Sequence, residues 1–256
     1  MTLPLFFESE LSGTDLQISN TYKLSDYNKK HIFSALRMKS TDSVYIANGN
    51  GIRYTAELVG SDSFTVTDCQ PGPNQLPITL IQSLIKDGRD QQVVEMCIES
   101  GVSEIIPWQS EFAIKKSSGA DAQNKLRTKW QGWSNASVEQ CRRCNSVNIG
   151  TFFDGSTSLA DGSVVIICDI SETEKFYNFA ELANVLRSEN LFSDATHFYI
   201  SIGPEGGLSP RDIDLLKKSA ANSNSKYYFV TLGDAIYRSR TAGVVAISKL
   251  AEIIGF

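Results

Sequence analysis

The chain has 256 residues, of which 41% are hydrophobic, and its formal net charge is -5 at pH 7. This length and apolar content suit a globular protein with a substantial core, in one large domain or two small ones. Residues 1–8 carry neither a basic start nor a sustained apolar run, so we expect no secretory signal and no membrane-spanning helix. The cysteines number five and are widely scattered, which favours reduced thiols in a cytoplasmic protein over a disulfide framework.

Short alternating apolar runs, separated by turn residues, fill the chain up to about residue 70. They predict strands at 44–47, 52–59 and 64–67, with one helix near 28–37. The sequence Cys69-Gln70-Pro71-Gly72-Pro73-Asn74 then interrupts all regular structure. We therefore predict a small β-rich domain over residues 1–72 and a second domain over residues 73–256.

Predicted strands and helices alternate in the second domain. Strands are expected at 78–85, 104–108, 164–168 and 198–202, and helices at 90–100, 121–143 and 172–187. Val164 to Cys168 is a continuous apolar run, typical of a strand that is buried on both faces. This alternation predicts an α/β domain built on a mainly parallel sheet.

A basic segment, residues 115–143, interrupts the acidic background. It holds seven lysines and arginines against two acids, a local charge of +5, and the three tryptophans lie in or beside it. Cations interleaved with aromatic rings suit a nucleic-acid backbone and its bases. A solvated helix with tryptophans buried against the sheet is the other interpretation, which we favour for Trp108. Cys141 and Cys144 have no partner pair or nearby histidine, so we expect two thiols and no metal.

Two strand-to-helix corners follow each other near the end of the sequence. The first places Gly203-Pro204-Glu205-Gly206-Gly207 between a strand ending at Ile202 and a helix capped by Ser209. The second follows a strand expected to end at Leu232-Gly233. Neighbouring parallel strands present their carboxyl ends at one edge, so both corners are placed to enclose one ligand. The glycines alone also fit a simple tight turn, but the polar run Arg238-Ser239-Arg240-Thr241 favours a ligand site.

With these corners the sequence resembles the RsmE family, ribosomal RNA uracil-N3 methyltransferases of the SPOUT class. The resemblance rests on Gly203 to Ser209, Leu232-Gly233, Ile236, Arg238, Thr241 and Ala242. Upstream matches follow in the same order: His31 to Arg37, Gly49-x-Gly51, Lys86-x-x-Arg89, Glu99-x-Gly101-Val102-x-x-Ile105-x-Pro107 and Glu139-Gln140-Cys141-x-Arg143. The resemblance therefore covers nearly the whole chain.

The resemblance implies a PUA-like β-barrel for RNA, then an α/β methyltransferase domain whose last segment is threaded into a trefoil knot, in a cytoplasmic homodimer. It also implies that S-adenosylmethionine binds in the knot and that the target is N3 of a uridine in 16S ribosomal RNA, free or in the small subunit. By matching positions the cofactor residues are Ile202, Gly203, Pro204, Glu205, Gly206, Gly207, Leu232, Gly233, Ile236 and Arg238. The candidate RNA contacts are His31, Arg37, Lys86, Arg89, Lys125, Arg127, Gln140, Arg142 and Arg143.

Uracil N3 carries an imide proton and is a poor nucleophile until that proton leaves. Arg238 and Arg240 are candidates for stabilising the resulting anion, and the base is Glu205 or a solvent path. Arg238 would otherwise pair with Asp234 or with the opposite subunit.

Several positions depart from the family pattern. Arg240 stands where the family has an acid, and Met96 and Phe112 replace a lysine and an arginine. The alternative function is therefore an RNA- and cofactor-binding protein with weak or lost turnover. A ribose 2′-hydroxyl methyltransferase of the same superfamily is disfavoured, because the sequence lacks an Asn-Pro-x-Asn motif.

Overall fold

The computed structural model describes residues 3–169, 175–193 and 196–255. The chain forms two compact units, one of residues up to Gln75 with Asn135–Ser146, and one of Leu76–Ser134 with the residues from Val147 onward. The first unit thus includes a segment, 135–146, that a division after residue 72 assigns to the second domain. Hydrogen bonds hold this segment in the first unit, because the Phe7 amide donates to Oε1 of Glu139 at 2.9 Å.

The first unit is a five-stranded sheet with one short helix. Its strands are β1 (Leu5–Phe7), β2 (Thr21–Lys23), β3 (Ser43–Ala47), β4 (Ile52–Val59) and β5 (Ser63–Pro71), in the order β1-β3-β4-β5-β2. Only the β1–β3 pair is parallel. Helix α1 (Asp26–Lys30), capped by the Ser25 hydroxyl, continues into a π-helical turn at His31–Ala35 that places Ile32 in the core.

The predicted interruption at residues 69–74 is wrong in its first half, because β5 continues to Pro71. Pairing with β4 extends to Ile52, across a β-bulge between Thr55 and Ala56. Pro71 has no N–H to donate, and the strand ends at this residue. The chain leaves the sheet at Gly72, whose amide donates to the Gly51 carbonyl at 2.7 Å.

The second unit is built on a seven-stranded sheet. Its strands are β6 (Ile78–Ser83), β7 (Glu104–Trp108), β8 (Asn148–Ile149), β9 (Val164–Cys168), β10 (Phe176–Tyr177), β11 (Phe198–Ile202) and β12 (Lys226–Val230). Their order is β10-β12-β9-β11-β6-β7-β8, and every neighbouring pair is parallel. The predicted α/β architecture with a mainly parallel sheet is therefore confirmed.

Helices cover both faces of this sheet. They are α2 (Asp90–Glu99), α3 (Ala120–Gln140), α4 (Phe179–Ser188), α5 (Pro210–Asn222) and α6 (Ser239–Ile254), of which α3 runs from the second unit into the first. Helix α6 packs against β6 and β11 and against α2 and α4. Helix α5 packs on the opposite face, where its Leu216 and Ala220 join Ile81 and Val165. All five residues of β11 are buried, as expected of a central strand covered on both sides.

Some predicted boundaries are wrong. Helix α4 begins at Phe179 rather than within 172–176, because Asn178 and Glu181 form a capping box that starts the helix there. Phe176 and Tyr177 form β10 instead, and residues 172–174 lie outside the described part of the chain. Helix α3 ends at Gln140, before the backbone of Arg142 turns to a φ of +58°.

Strands β6 and β12 end at Ser83 and Val230, two or three residues before their predicted ends, while β7, β9 and β11 have their predicted bounds. Helices α2 and α5 begin where the sequence predicts, with the Ser209 cap and Pro210 at the first position of α5. In the part of the chain that is described, no helix combines the length and apolar content needed to cross a bilayer.

Gly101, between α2 and β7, provides a test of this packing. Its φ is +105°, and a Cβ there would be 2.5 Å from Cδ1 of Leu76. We expect Gly101→Ala to lower the free energy of unfolding by about 1–3 kcal/mol, because both the backbone and the new contact are unfavourable. Urea titration followed by circular dichroism measures the change.

Gly132 is the matched control, because it lies within α3 and a Cβ there would meet no atom within 4 Å. Gly132→Ala should raise the free energy of unfolding by up to about 1 kcal/mol. Equal effects of the two substitutions would contradict the steric argument.

Candidate active site

A cleft of about 520 Å³ lies at the carboxyl edge of the parallel sheet. Its lining comes from the segments that follow four neighbouring strands: 85–89 after β6, 202–208 after β11, 168–169 after β9 and 230–242 after β12. The segments converge because the carboxyl ends of parallel strands meet at one edge. The volume lies within the range of small-molecule sites, roughly 300–1,000 Å³.

The first corner is fixed at the start of α5. The Ser209 hydroxyl accepts from the Asp212 amide at 3.1 Å, and Oδ2 of Asp212 accepts from the Ser209 amide at 3.0 Å. Asp212 is only 2% exposed, and its two oxygens also accept from the Glu111 amide at 3.2 Å. The capping box therefore also holds the segment that follows β7.

The glycine loop of this corner exposes its main chain. Gly207 has a φ of +76°, and its amide donates to the Pro204 carbonyl at 3.0 Å in a tight turn. A Cβ at Gly207 would meet no atom within 4 Å, so the peptide groups beside it are open to the cleft. Gly206 does not line the cleft; a Cβ there would be 3.2 Å from Cβ of Phe112.

The second corner turns at Gly233, whose φ is +132°. The Thr231 hydroxyl donates to the Gly233 carbonyl at 3.1 Å, and α6 starts after Arg238, whose carbonyl accepts from the Ala242 amide at 2.9 Å. Ile236, at the lip of the cleft, is 93% exposed.

A buried hydroxyl joins the two corners. The Ser239 Oγ donates to the Gly203 carbonyl at 2.6 Å and accepts from Nε2 of Gln82 at 3.4 Å. Ser239 and Gln82 are both buried. The first residue of α6 is thereby bonded to the residue that follows β11, and the two corners form one site.

Cations outnumber acids around the cleft. Lys86, Arg89, Arg238 and Arg240 face three acids, Asp169, Glu205 and Asp234. Two of the acids are bonded to main chain: Oε1 of Glu205 accepts from the Lys86 amide at 3.1 Å, and Oδ2 of Asp169 accepts from the Leu208 amide at 3.3 Å.

The two arginines differ in their surroundings. Nε of Arg240 is buried and has no hydrogen-bond partner among the described residues. No ion pair joins Arg238 to Asp234 in the described part of the chain, so the first of the two alternative pairings is absent there, and the pairing with an opposite subunit stays a prediction. Both guanidinium groups are therefore suited to meet a bound anion or carbonyl.

Cys168 lines the cleft but is not a nucleophile. Burial, and then the neighbouring Asp169 carboxylate, raise the pKa of its thiol to about 12. At neutral pH the thiol is therefore protonated, and the protonated form is unreactive.

The cleft brings together most of the residues predicted for the site. Nine of the ten predicted cofactor residues line it, Gly206 being the exception. Glu205, Arg238 and Arg240, the catalytic candidates, line the same cleft with Lys86 and Arg89 from the predicted RNA contacts. The roles of these residues stay predictions.

The other predicted RNA contacts lie elsewhere. Lys125 and Arg127 are on α3, and Arg127 holds that helix to the sheet, because its Nε donates to the Gly150 carbonyl at 2.7 Å. Five others belong to the first unit: His31, Arg37, Gln140, Arg142 and Arg143. Arg143 is buried, and this burial lowers the pKa of its guanidinium.

The interpretation favoured for Trp108 is confirmed, because its ring is buried and meets Phe153 edge-on at 5.1 Å. Trp130 is buried as well, while Nζ of Lys129 lies 5.1 Å from the ring centroid of Trp133. Among the described residues, no three histidine, cysteine or acidic side chains are grouped as a metal site.

Sequence reasoning missed several residues of the cleft, among them Cys168, Asp169, Tyr237 and Ser239. Asp169 had a usable signal, because it follows the buried apolar run of β9 and so lies at the carboxyl edge. The hydroxyl of Ser239 had none, since its acceptor is 36 residues away in the sequence.

Residues 72–251 match the family model of the RNA methyltransferase domain. The chain belongs to this family. The matched range includes the whole lining of the cleft and both of its corners.

Three curated relatives share the name ribosomal RNA small subunit methyltransferase E. The Bacillus subtilis protein is 22% identical over 252 residues, which are 94% of each chain. The Rickettsia conorii protein is 21% identical over 236 residues, 88% of this chain and 87% of that protein. The Mycobacterium tuberculosis protein is 25% identical over 192 residues, and the match spans only 65% of its length.

Solved structures of the same fold include a ribosomal RNA small subunit methyltransferase E from Neisseria gonorrhoeae bound to S-adenosyl methionine. It superposes with a TM-score of 0.75 at 20% identity over 98% of both chains. A methyltransferase from Legionella pneumophila, solved with bound SAM, gives the same values.

Ser239→Ala should show whether the bridging hydroxyl holds the site together. We expect a loss of about 1–3 kcal/mol in the free energy of unfolding, because the Gly203 carbonyl is left without its donor. Because the two corners then separate, calorimetry should show roughly tenfold weaker binding of S-adenosylmethionine.

Ser248→Ala is the matched control in the same helix, because the exposed Ser248 hydroxyl only donates to the Val244 carbonyl one turn back. It should change stability by less than about 0.5 kcal/mol. If both variants bind the cofactor like the wild type, the bridge does not organise the site.

Proposed function

We propose that the protein is an S-adenosylmethionine-dependent methyltransferase that modifies N3 of a uridine in 16S ribosomal RNA. The observation that carries the proposal is the convergence of both signature corners on one cleft lined by four cations. Membership of the RNA methyltransferase family and the names of the relatives support it. The fold shared with a relative solved with S-adenosyl methionine supports the choice of cofactor.

The residues of the cleft fit this cofactor. Gly207 and Gly233 have left-handed backbones and open space where a Cβ would project, so their peptide groups can approach a bound molecule closely. Main chain at 202–207 and 232–233 would hold the nucleoside and amino-acid parts. When bound, the cofactor supplies an electrophilic methyl group on a positively charged sulfur.

The chain's own task is to make uracil N3 nucleophilic. The guanidinium groups of Arg238 and Arg240 at the cleft favour the uracil anion and so lower the pKa of its imide. Glu205 accepts one hydrogen bond from the Lys86 amide, and a carboxylate has capacity for more. It can therefore take the N3 proton directly or pass it along a solvent path.

We also propose the knot that the resemblance implies for the domain 73–256. Strand β12 is next to β9, whereas α6, which follows it in the chain, packs against β6 and β11. Residues 231–238 therefore cross the carboxyl edge of the sheet. This crossing supports a chain that is threaded through a loop. The small, mostly antiparallel sheet supports a PUA-like domain over residues 1–72.

The proposed assembly is a cytoplasmic homodimer whose partner is 16S ribosomal RNA or the small ribosomal subunit. The exposed Ile236 at the lip of the cleft supports a second copy at this surface.

Incubation with labelled S-adenosylmethionine and under-methylated small-subunit RNA tests the reaction. We expect label in 3-methyluridine, identified by nucleoside chromatography with mass detection, because the cations favour the N3 anion. Label on ribose would overturn the assigned site of methylation.

Arg240→Gln tests the cation nearest the start of α6. We expect kcat to fall about a hundredfold with little change in cofactor affinity, because the anion loses one stabilising charge. Removing a cation raises the pKa of the bound imide, so the midpoint of the rate–pH profile should move to higher pH. Single-turnover rates over a pH series measure both effects.

Arg211→Gln is the control, because Arg211 is exposed on α5 and does not line the cleft. Its rate should match the wild type. A large gain in rate for Arg240→Glu would contradict the catalytic role and favour a protein whose turnover the arginine limits.

A further inference from the structure

Phe112, which lies beside the glycine loop, and Ile114, two residues further on, are exposed apolar side chains; we name them the stacking patch. Phe112 is 49% exposed and Ile114 is 65% exposed. Phe112 rests on the main chain of Gly206, because a Cβ there would lie 3.2 Å from its Cβ and 3.9 Å from its Cγ. Since the flanking Glu205 and Gly207 line the cleft, the patch borders the proposed cofactor site.

The segment that carries the patch is held on both sides. The Glu111 amide donates to both oxygens of the buried Asp212, and Lys115 forms an ion pair with the buried Asp90. Between the two exposed residues, Ala113 is buried. The backbone that carries the ring is therefore held before anything binds, which lowers the entropic cost of binding.

Lysines lie on the segments that flank the patch, together with the exposed acids Glu111 and Glu205. Lys86 follows β6, and its amide is bonded to Glu205, the residue before Gly206. Lys116 is exposed, with its Nζ 3.3 Å from the Glu111 carbonyl. Exposed rings among lysines are the arrangement by which proteins bind single-stranded nucleic acid, because bases stack on the ring while cations follow the phosphates.

We propose that the stacking patch binds an unpaired base of the RNA beside the methylated nucleotide, with Phe112 as the stacking ring. The inference rests on the proposed function and adds that the RNA reaches the cleft as a single strand. The patch borders a cleft lined by Lys86, Arg89, Arg238 and Arg240, and these cations suit the phosphates of an RNA strand whose base stacks on Phe112. Phe112 is thus a positioning residue for the substrate.

Binding of a short fluorescein-labelled oligouridylate to the full-length protein, followed by anisotropy, is the test. Phe112→Ala should weaken binding about tenfold, Phe112→Tyr should stay within about twofold, and Phe112→Leu should behave like alanine. Phe176→Ala is the matched control, because Phe176 is similarly exposed on the edge strand β10. Affinity for S-adenosylmethionine, measured by calorimetry, should not change in any variant.

Salt dependence separates the ring from the lysines. Phe112→Ala should leave the slope of log affinity against log salt unchanged, since no phosphate contact is lost. Lys116→Gln should reduce that slope by about 0.7. A patch that only stabilises the fold would show neither pattern.

Two results would overturn the inference. In the first, Phe112→Ala binds oligouridylate with the same affinity as the wild type and has the same KM for RNA. The other is a change in the sedimentation of Phe112→Ala without a change in RNA binding, which would assign the patch to contact between copies. If Phe112→Ala binds oligouridylate more weakly but the wild type forms no 3-methyluridine, the patch is supported and the proposed function is rejected. If the wild type forms 3-methyluridine but Phe112→Ala binds oligouridylate normally, only the patch is rejected.

Discussion

Strand β12 is separated from β11 and β6 by β9, and this strand order determines how the chain runs along the carboxyl edge of the parallel sheet. Helix α6 packs against β6 and β11, so the chain has to cross the ends of β9 and β11 between Val230 and Ser239. That crossing forms one wall of the cleft, and the glycine loop after β11 forms another. The bond between the Ser239 hydroxyl and the Gly203 carbonyl closes the arrangement where the two segments meet. The site therefore depends on the order of the strands more than on any single loop.

The charges at the start of α6 are better explained by function than by stability. A cation in the first turn of a helix faces the positive end of the dipole, which costs about 0.3–1 kcal/mol. Arg238 and Arg240 both lie there, and Nε of Arg240 is buried without a partner among the described residues. Local rules of this kind are broken at functional sites, where the gain comes from a ligand. In the proposed function, that ligand is a uracil that develops negative charge between its two carbonyls.

Features that depend on residues close together in the sequence were predictable, and features that depend on distant residues were not. The bounds of β7, β9 and β11 were predictable because a buried parallel strand is apolar throughout, and the start of α5 because its capping residues are adjacent. The convergence of the two corners followed from the rule for parallel strands. Side-chain partners distant in sequence were not predictable: Arg127 bonds to the carbonyl of Gly150, and Gly206 supports Phe112 instead of facing the cleft. A basic or glycine residue shows its chemistry in the sequence, but not the group that it contacts.

The glycine loop connects the proposed cofactor site to the stacking patch. Successive residues of the loop contact different sites. Glu205 and Gly207 line the cleft, while Gly206, between them, packs against Phe112. Glu205 also accepts a hydrogen bond from the amide of Lys86, so the same loop is bonded to the segment that follows β6. A molecule bound in the cleft that restricts this loop also restricts the main chain on which Phe112 packs. Binding in the cleft and binding at the patch would then be coupled, and such a coupling free energy is the same in both directions.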